Sequence, residues 1–226
     1  MIDTLIPVIT IDGPSASGKG TIAKLLADHL KWHLLDSGSI YRAFAWGLNQ
    51  DKLSPENLEF QKVVSHLKII YSTGFNQKDM QIFYHENLID NVIRQEVWAQ
   101  KASRLAVIPQ VRKELLPLQR QARRLPGLVA DGRDMGSVIF PDALIKFYLD
   151  ADAENRAQRR FNQLKDQGIS VSLDQIREDL LQRDHRDKNR QVSPTQLRED
   201  MILIDTTRFS IEEVFRQIVN QVNTMI

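Results

Sequence analysis

The sequence predicts an α/β fold: a parallel five-stranded sheet covered by helices on both faces, with a small antiparallel lobe inserted into it. Three observations carry this prediction. Five short apolar segments recur along the chain with helical stretches between them. A glycine-rich turn joins the first segment to a helix. Near His66 the rhythm changes to paired strands, and it returns near Leu128.

In chain order, Pro7-Val8-Ile9-Thr10-Ile11-Asp12 is a β-branched run ending at glycine, which reads as a buried strand. Ile22, Leu26 and Leu30 at helical spacing place a helix over residues 21–30. Residues 32–36 read as a second strand. Ile40, Phe44 and Leu48 share one face of a helix over residues 39–48. Residues 67–71 and 80–84 look like antiparallel partners around a turn at Gly74-Phe75-Asn76. Two helical stretches follow, the second opening with Pro109, a favourable first-turn residue. Parallel strands resume at residues 128–131, 145–150 and 201–205. The core is thus expected at residues 1–65 and 104–226, with residues 66–103 as the inserted lobe. Such sheets bind ligands beyond the carboxyl ends of their strands.

The 226 residues hold 30 Lys and Arg against 29 Asp and Glu, a formal net charge of +1. That balance sets up no global field toward nucleic acid or a membrane surface, and neither partner is expected. There is no cysteine, which excludes disulfides, thiolate metal sites and cysteine nucleophiles, and fits a cytoplasmic location. No apolar run approaches the ~20 residues that span a bilayer. Met1 to Thr4 lack the basic and apolar pattern of a signal peptide. His29, His33, His66, His85 and His185 show no shared metal spacing and read as surface or core residues. Trp32, Trp46 and Trp98 read as packing residues.

The first strand and helix are joined by Gly13-Pro14-Ser15-Ala16-Ser17-Gly18-Lys19-Gly20-Thr21. Glycines let backbone N–H groups turn inward around phosphate oxygens, and the helix N-terminus adds partial positive charge. Lys19 supplies a full charge to the β and γ phosphates. The pattern arises by accident on the order of once in several thousand chains of this size. The general pattern puts Ser or Thr directly after the lysine; here Gly20 intervenes and Thr21 follows. Thr21 therefore touches either Mg²⁺ or only a phosphate.

Asp36 and Asp131 each end an apolar strand, at the ligand edge of the sheet. Either is a candidate to hold magnesium through water, and either also fits an N-cap or an arginine partner. Along a helix at residues 173–190, the stripe Leu173, Ile176, Leu180 continues into Arg183, Asp187 and Arg190. A stripe that turns charged has left the core for a cleft, or has reached a solvated helix end with pairs such as Asp184 with Lys188. Arg156, Arg159 and Arg160 mark a segment able to close over a transferring phosphoryl group, or a solvated basic face. Arg133 and Asp134 sit in a loop at a strand end, where a guanidinium can hold phosphate with two parallel hydrogen bonds.

Several segments in this order resemble the bacterial cytidylate kinases, within the P-loop nucleoside monophosphate kinases. They are the Gly13–Thr21 loop, Leu35-Asp36-Ser37-Gly38-Ser39-Ile40-Tyr41-Arg42, Asp131-Gly132-Arg133-Asp134-Met135-Gly136, Phe140-Pro141-Asp142-Ala143, and Arg183-Asp184-His185-Arg186-Asp187-Lys188-Asn189-Arg190. The resemblance covers nearly the whole chain. It implies a P-loop NTPase-type sheet, a helical lid around residues 151–168, and a monophosphate-binding role for the inserted lobe. It implies transfer of the γ-phosphoryl group of ATP, with Mg²⁺, to CMP or dCMP by a monomer. Arg42, Arg133 and Arg190 would hold the acceptor phosphate. Ser103, Arg112 and Asp134 would read the cytosine, and Ser37, Arg183 and Asp187 would complete the pocket. Lys19, Arg133, Arg183 and Arg160 would serve the transferring group, with Arg159 toward the ATP phosphates.

Other classes fit less well. A GTPase switch needs Asn-Lys-x-Asp and Asp-x-x-Gly, and neither occurs. A kinase for another small acceptor, or a nucleotide-binding module without turnover, is separated from this reading by assay.

Overall fold

A computed structural model of the chain describes residues 6–54, 59–71, 80–166 and 168–225. The expected turn at Gly74-Phe75-Asn76 and the N-terminal Met1 to Thr4 lie outside the described residues. β1 (Val8–Asp12), α1 (Lys19–Leu30), β2 (His33–Asp36) and α2 (Ser37–Gln50) open the chain. α3 (Phe60–Ser65) leads to an antiparallel sheet of β3 (Leu67–Tyr71), β4 (Met80–Tyr84) and β5 (Asn87–Leu88). α4 (Asp90–Ile93), α5 (Glu96–Leu105) and α6 (Pro109–Arg120) follow. β6 (Leu128–Gly132), a π-helical turn (Met135–Ile139), β7 (Ile145–Asp150), α7 (Ala153–Asp166), α8 (Leu173–Asn189), β8 (Ile202–Asp205) and α9 (Ile211–Asn223) complete it.

The main sheet has the order β2-β6-β1-β7-β8, and all its pairings are parallel. Alternation along the strands divides the core between the two faces. Val8, Leu128 and Ala130 point into a cluster with Ile40 and Phe44 of α2 and Leu115 of α6. Ile9, Ile11, Val129 and Phe147 point into a second cluster with Ile22 and Leu26 of α1 and Val214 and Ile218 of α9. The chain leaves β1 toward β2 but leaves β6 toward β7. The connections after adjacent β1 and β6 therefore leave in opposite directions and open a crevice beyond their carboxyl ends.

Local chemistry sets the helix boundaries. The Asp36 side chain accepts from the Ser39 amide at 3.0 Å, so α2 begins at Ser37, two residues before the expected start at residue 39. Ser210 and Glu213 form a capping box on α9. The expected lobe edge at residue 103 falls inside α5, because nothing in Glu96–Leu105 breaks a helix. The antiparallel sheet shares its core with α2 through Tyr71, Ile82 and Tyr84. By contrast, α7 and α8 pack on a small core of their own, built from Ala157, Leu164, Ile176 and Leu180. Among the described residues no helix is long and apolar enough to cross a membrane.

Candidate active site

The loop between β1 and α1 is held by its carbonyls. Gly13 O accepts from Arg133 Nη1 at 2.7 Å, Pro14 O from Lys19 Nζ at 3.0 Å, Ser15 O from Arg156 Nη1 at 3.1 Å and Ser17 O from Thr206 Oγ1 at 3.0 Å. With those carbonyls engaged, the amides are what the loop has left to offer an anion. Gly13 has φ of 149°, and a Cβ there would lie 2.0 Å from the carbonyl oxygen of Leu149, so glycine is required. The buried Ser17 hydroxyl has no partner.

A cleft of about 360 Å³ opens in front of this loop. Ser15, Ala16, Lys19 and Gly20 form one side of it. Ser37, Tyr41 and Arg42 enter from α2, Ser103 from α5 and Arg112 from α6. Asp131, Arg133 and Asp134 come from the end of β6, and Arg183, Asp187 and Arg190 from α8 and its C-cap. α8 delivers its three because positions three and four apart share a face, and that face has run past the small core between α7 and α8.

Cations and acids are interleaved in the cleft. Arg133 Nε donates to Asp187 Oδ2 at 2.9 Å and Nη2 to Ser15 Oγ at 2.7 Å. Buried Asp134 is gripped by Arg112 through Oδ2, and Arg190 Nη2 lies 3.4 Å from its Oδ1. Arg42 Nη2 reaches Asp36 Oδ2 at 2.9 Å and Ser39 Oγ at 2.7 Å. The cations are nevertheless under-compensated. Burial, then the neighbouring Arg133 and Arg183, drive the Lys19 amine well below its ordinary value, against the pull of Asp131. Burial, then Arg133, push Arg183 down to about 10. The Arg183 Nε is buried without a partner. A group of buried positive charges that disfavour one another is an anion receptor. Asp187, although buried, is held below the usual carboxylate range because Arg133 and Arg183 outweigh that burial.

The cytidylate kinase family profile matches residues 9–224 of the chain. The chain belongs to the cytidylate kinase family. A cytidylate kinase of Coxiella burnetii (strain RSA 493 / Nine Mile phase I) is 49% identical over 217 residues, covering 96% of this chain and 92% of that relative. One from Shewanella sp. (strain MR-4) is 45% identical over 218 residues, covering 96% and 95%. One from Shewanella frigidimarina (strain NCIMB 400) is 44% identical over 221 residues, covering 97% and 96%. Membership makes the chain a kinase.

Of the residues that the cytidylate kinase resemblance implied for the acceptor, all nine line the one cleft: Ser37, Arg42, Ser103, Arg112, Arg133, Asp134, Arg183, Asp187 and Arg190. Four implied positions lie differently. Arg159 is turned from the cleft and bonds both the hydroxyl and the carbonyl of Thr206, because Thr206 sits beside the loop where β8 ends. Arg160 lines the cleft but is ion-paired with Glu96 of α5. Arg156 is buried: it pairs with Asp184 at 2.6 Å and bonds Ala151 O, so it ties α7 to α8 rather than facing the cleft. Asp184 is therefore paired with Arg156 rather than Lys188. Thr21 is exposed and does not line the cleft, since two residues of helix past Lys19 turn it to another face of α1.

The two acids now separate. Asp36 is used as the N-cap of α2 and as the partner of Arg42. Asp131 lines the cleft beside Lys19 with a buried, unpartnered Oδ1, and burial raises its pKa. That orphaned oxygen fits the water shell of a hard divalent cation.

Three contributors escaped the sequence. Tyr41 lies one turn after Ser37 on α2, with its ring beside Arg112, and spacing from Ser37 was the available signal. Ala99 and Ala102 of α5, with its C-cap Ala106, give a small-residue wall suited to a flat group. Asp12, fully buried, accepts from the Met135 and Gly136 amides, each at 2.8 Å. It ties the loop that carries Arg133 and Asp134 to the end of β1.

Proposed function

We propose that this cleft transfers the γ-phosphoryl group of ATP to CMP or dCMP, giving ADP and CDP or dCDP, as a step of pyrimidine nucleotide metabolism. The observation that carries the reading is the meeting of two anion-binding sets in one cleft: the Lys19 loop on one side, and Arg42, Arg133, Arg183 and Arg190 on the other. The loop amides and Lys19 hold the donor's tail. The guanidiniums draw the acceptor phosphate into line with it and offset the repulsion between the two polyanions. Arg160 and Lys19 flank the transferring group. Mg²⁺ would be held through water by Asp131, and it neutralises charge on the donor phosphates when bound. Oxygen attacks phosphorus directly, so no side chain acts as a nucleophile.

Ser103, Arg112 and Asp134 read the cytosine. The Arg112–Asp134 pair is buried and keeps the carboxylate oriented, so a base that presents a carbonyl in place of an amino group meets an acceptor with an acceptor. Asp187 lies toward the sugar. Residues 66–103 act as the monophosphate-binding lobe, and α7 with α8 acts as the lid. The enzyme works as a cytoplasmic monomer. The test is an acceptor panel with ATP and Mg²⁺, following ADP release. CMP and dCMP are expected to react fastest. Faster phosphorylation of UMP, AMP or a non-nucleotide acceptor overturns the substrate assignment. ATP binding without ADP production on any acceptor overturns the catalytic one.

A further inference from the structure

The far end of α2, away from the cleft, meets the antiparallel sheet at three potential ligands. Asp51 is the C-cap residue of α2. His66 immediately precedes β3, and His85 immediately follows β4. Leu67 pairs with Tyr84 in the ladder, so His66 and His85 are the next cross-strand neighbours. The His85 amide donates to the His66 carbonyl at 3.2 Å and fixes that relation.

The donor atoms converge. His66 Nδ1 lies 3.5 Å from Asp51 Oδ2, and His85 Nε2 lies 3.9 Å from Asp51 Oδ1. One donor atom from each of the three residues lies within 4.8 Å of the others. A tetrahedral zinc with bonds of ~2.0–2.1 Å sets its ligand atoms roughly 3.3–3.5 Å apart. The two imidazole rings lie 3.7 Å apart between centroids and tilted by 40°, so side-chain rotation is what would bring the set to that spacing. Asp51 Oδ2 is buried without a hydrogen-bond partner. The His66 ring is oriented edge-on to Tyr84 at 5.5 Å between centroids, with the Tyr84 hydroxyl 3.4 Å from Nδ1. His85 and Glu86 both have positive φ, 44° and 67°, the paired left-handed geometry of a tight hairpin turn that presents the His85 ring to this spot.

We propose that Asp51, His66 and His85 form a binding site for a zinc-class divalent transition-metal ion. Two imidazoles and one carboxylate favour such an ion over Mg²⁺, which prefers oxygen alone. Three protein ligands leave a position for water. The ion would clamp α2 to the antiparallel sheet and stiffen it, without touching the phosphate cleft.

The test uses the full chain without a histidine tag, stripped with a chelator and free of nucleotide. Zn²⁺ is titrated against thermal unfolding, and Co²⁺ serves as the spectroscopic probe. One equivalent of Co²⁺ is expected to give a visible ligand-field band, and Zn²⁺ is expected to raise Tm. His85→Gln changes a half-exposed ring and leaves the metal-free Tm unchanged. It is expected to weaken Zn²⁺ binding by about 100-fold or more, as is Asp51→Asn. The absence of both the Co²⁺ band and the Zn²⁺-dependent Tm rise in the wild type overturns the proposal. So does binding by both variants that matches the wild type.

Discussion

Asp12→Asn tests whether the geometry of the acceptor site is set from beneath. The Asp12 carboxylate is fully buried and receives two amide hydrogens, those of Met135 and Gly136, each at 2.8 Å. Burial raises its pKa to about 7 against the lowering effect of those two bonds, so above about pH 8 it is an anion with two charge-assisted bonds. Each such bond contributes about 1.5–3 kcal/mol. Asparagine keeps one acceptor and turns an NH₂ toward the other amide, losing one bond and leaving two donors opposed. At that pH the lost hydrogen bonding, about 1.5–3 kcal/mol, is opposed by removal of a buried charge, so catalysis and the pH dependence of stability, rather than unfolding free energy at one pH, are the readouts. Asp134 and Arg133 lie one and two residues upstream of Met135, and a shift of about 1 Å at such a loop costs about 100-fold in kcat/KM. The pH dependence adds an independent sign. Between about pH 4 and 7 the folded chain keeps a proton that the unfolded chain has released, so Asp12 makes stability fall as pH rises through that window. Asparagine does not titrate, so its advantage over this slope is that the slope disappears. A variant with kcat/KM within about threefold of the wild type, and with the slope intact, refutes the staple.

Lys19→Ala is expected to lower kcat by about 100-fold or more in a coupled ADP assay, because it removes a charge aimed at the transferring group. Asp134→Asn is expected to reduce the CMP over UMP preference in kcat/KM by at least about tenfold, with the fold checked by circular dichroism. ATP binding is expected to take up protons at about pH 8 and fewer at about pH 6: phosphate raises the depressed Lys19 pKa, and below it the amine is already charged. Calorimetry in buffers of different ionisation enthalpy measures that uptake, and equal uptake at both pH values refutes it.

The parts of this site that were legible in the sequence were contiguous or periodic. The Gly13–Thr21 loop is one unbroken segment, and the Arg183, Asp187, Arg190 stripe follows from helical spacing. What the sequence concealed depends on partners remote along the chain. Arg156 reads as a basic surface residue until Asp184 and the Ser15 carbonyl are beside it. Arg159 is diverted by Thr206, 47 positions away. The Asp12 staple joins residues 123 and 124 apart. His66 and His85 show no metal spacing along the chain because a hairpin register, not a helix, makes them neighbours. The edge at residue 103 was placed by composition, whereas the helix runs on because helix formation responds to local breakers and none is present.

The interleaved charges explain how so many arginines are tolerated at once. Arg133 divides its guanidinium among Asp187, Gly13 O, Gly132 O and Ser15 Oγ, one carboxylate and three neutral acceptors. An unpaired buried guanidinium is costly, so these contacts keep the cleft folded. A phosphate dianion is a stronger acceptor than a carbonyl or hydroxyl, so on the proposed reading it replaces the neutral contacts at little cost. The exchange releases the Gly13 and Gly132 carbonyls and the Ser15 hydroxyl and leaves the Asp187 contact in place. The acids thus hold the cations in position for substrate, and the substrate's own charge completes a balance that burial has left short at Lys19 and Arg183. The small core under α7 and α8 also takes in Ala16 of the loop, and Arg156 bonds Ser15 O, so on the proposed reading a movement of these helices is felt at the loop itself.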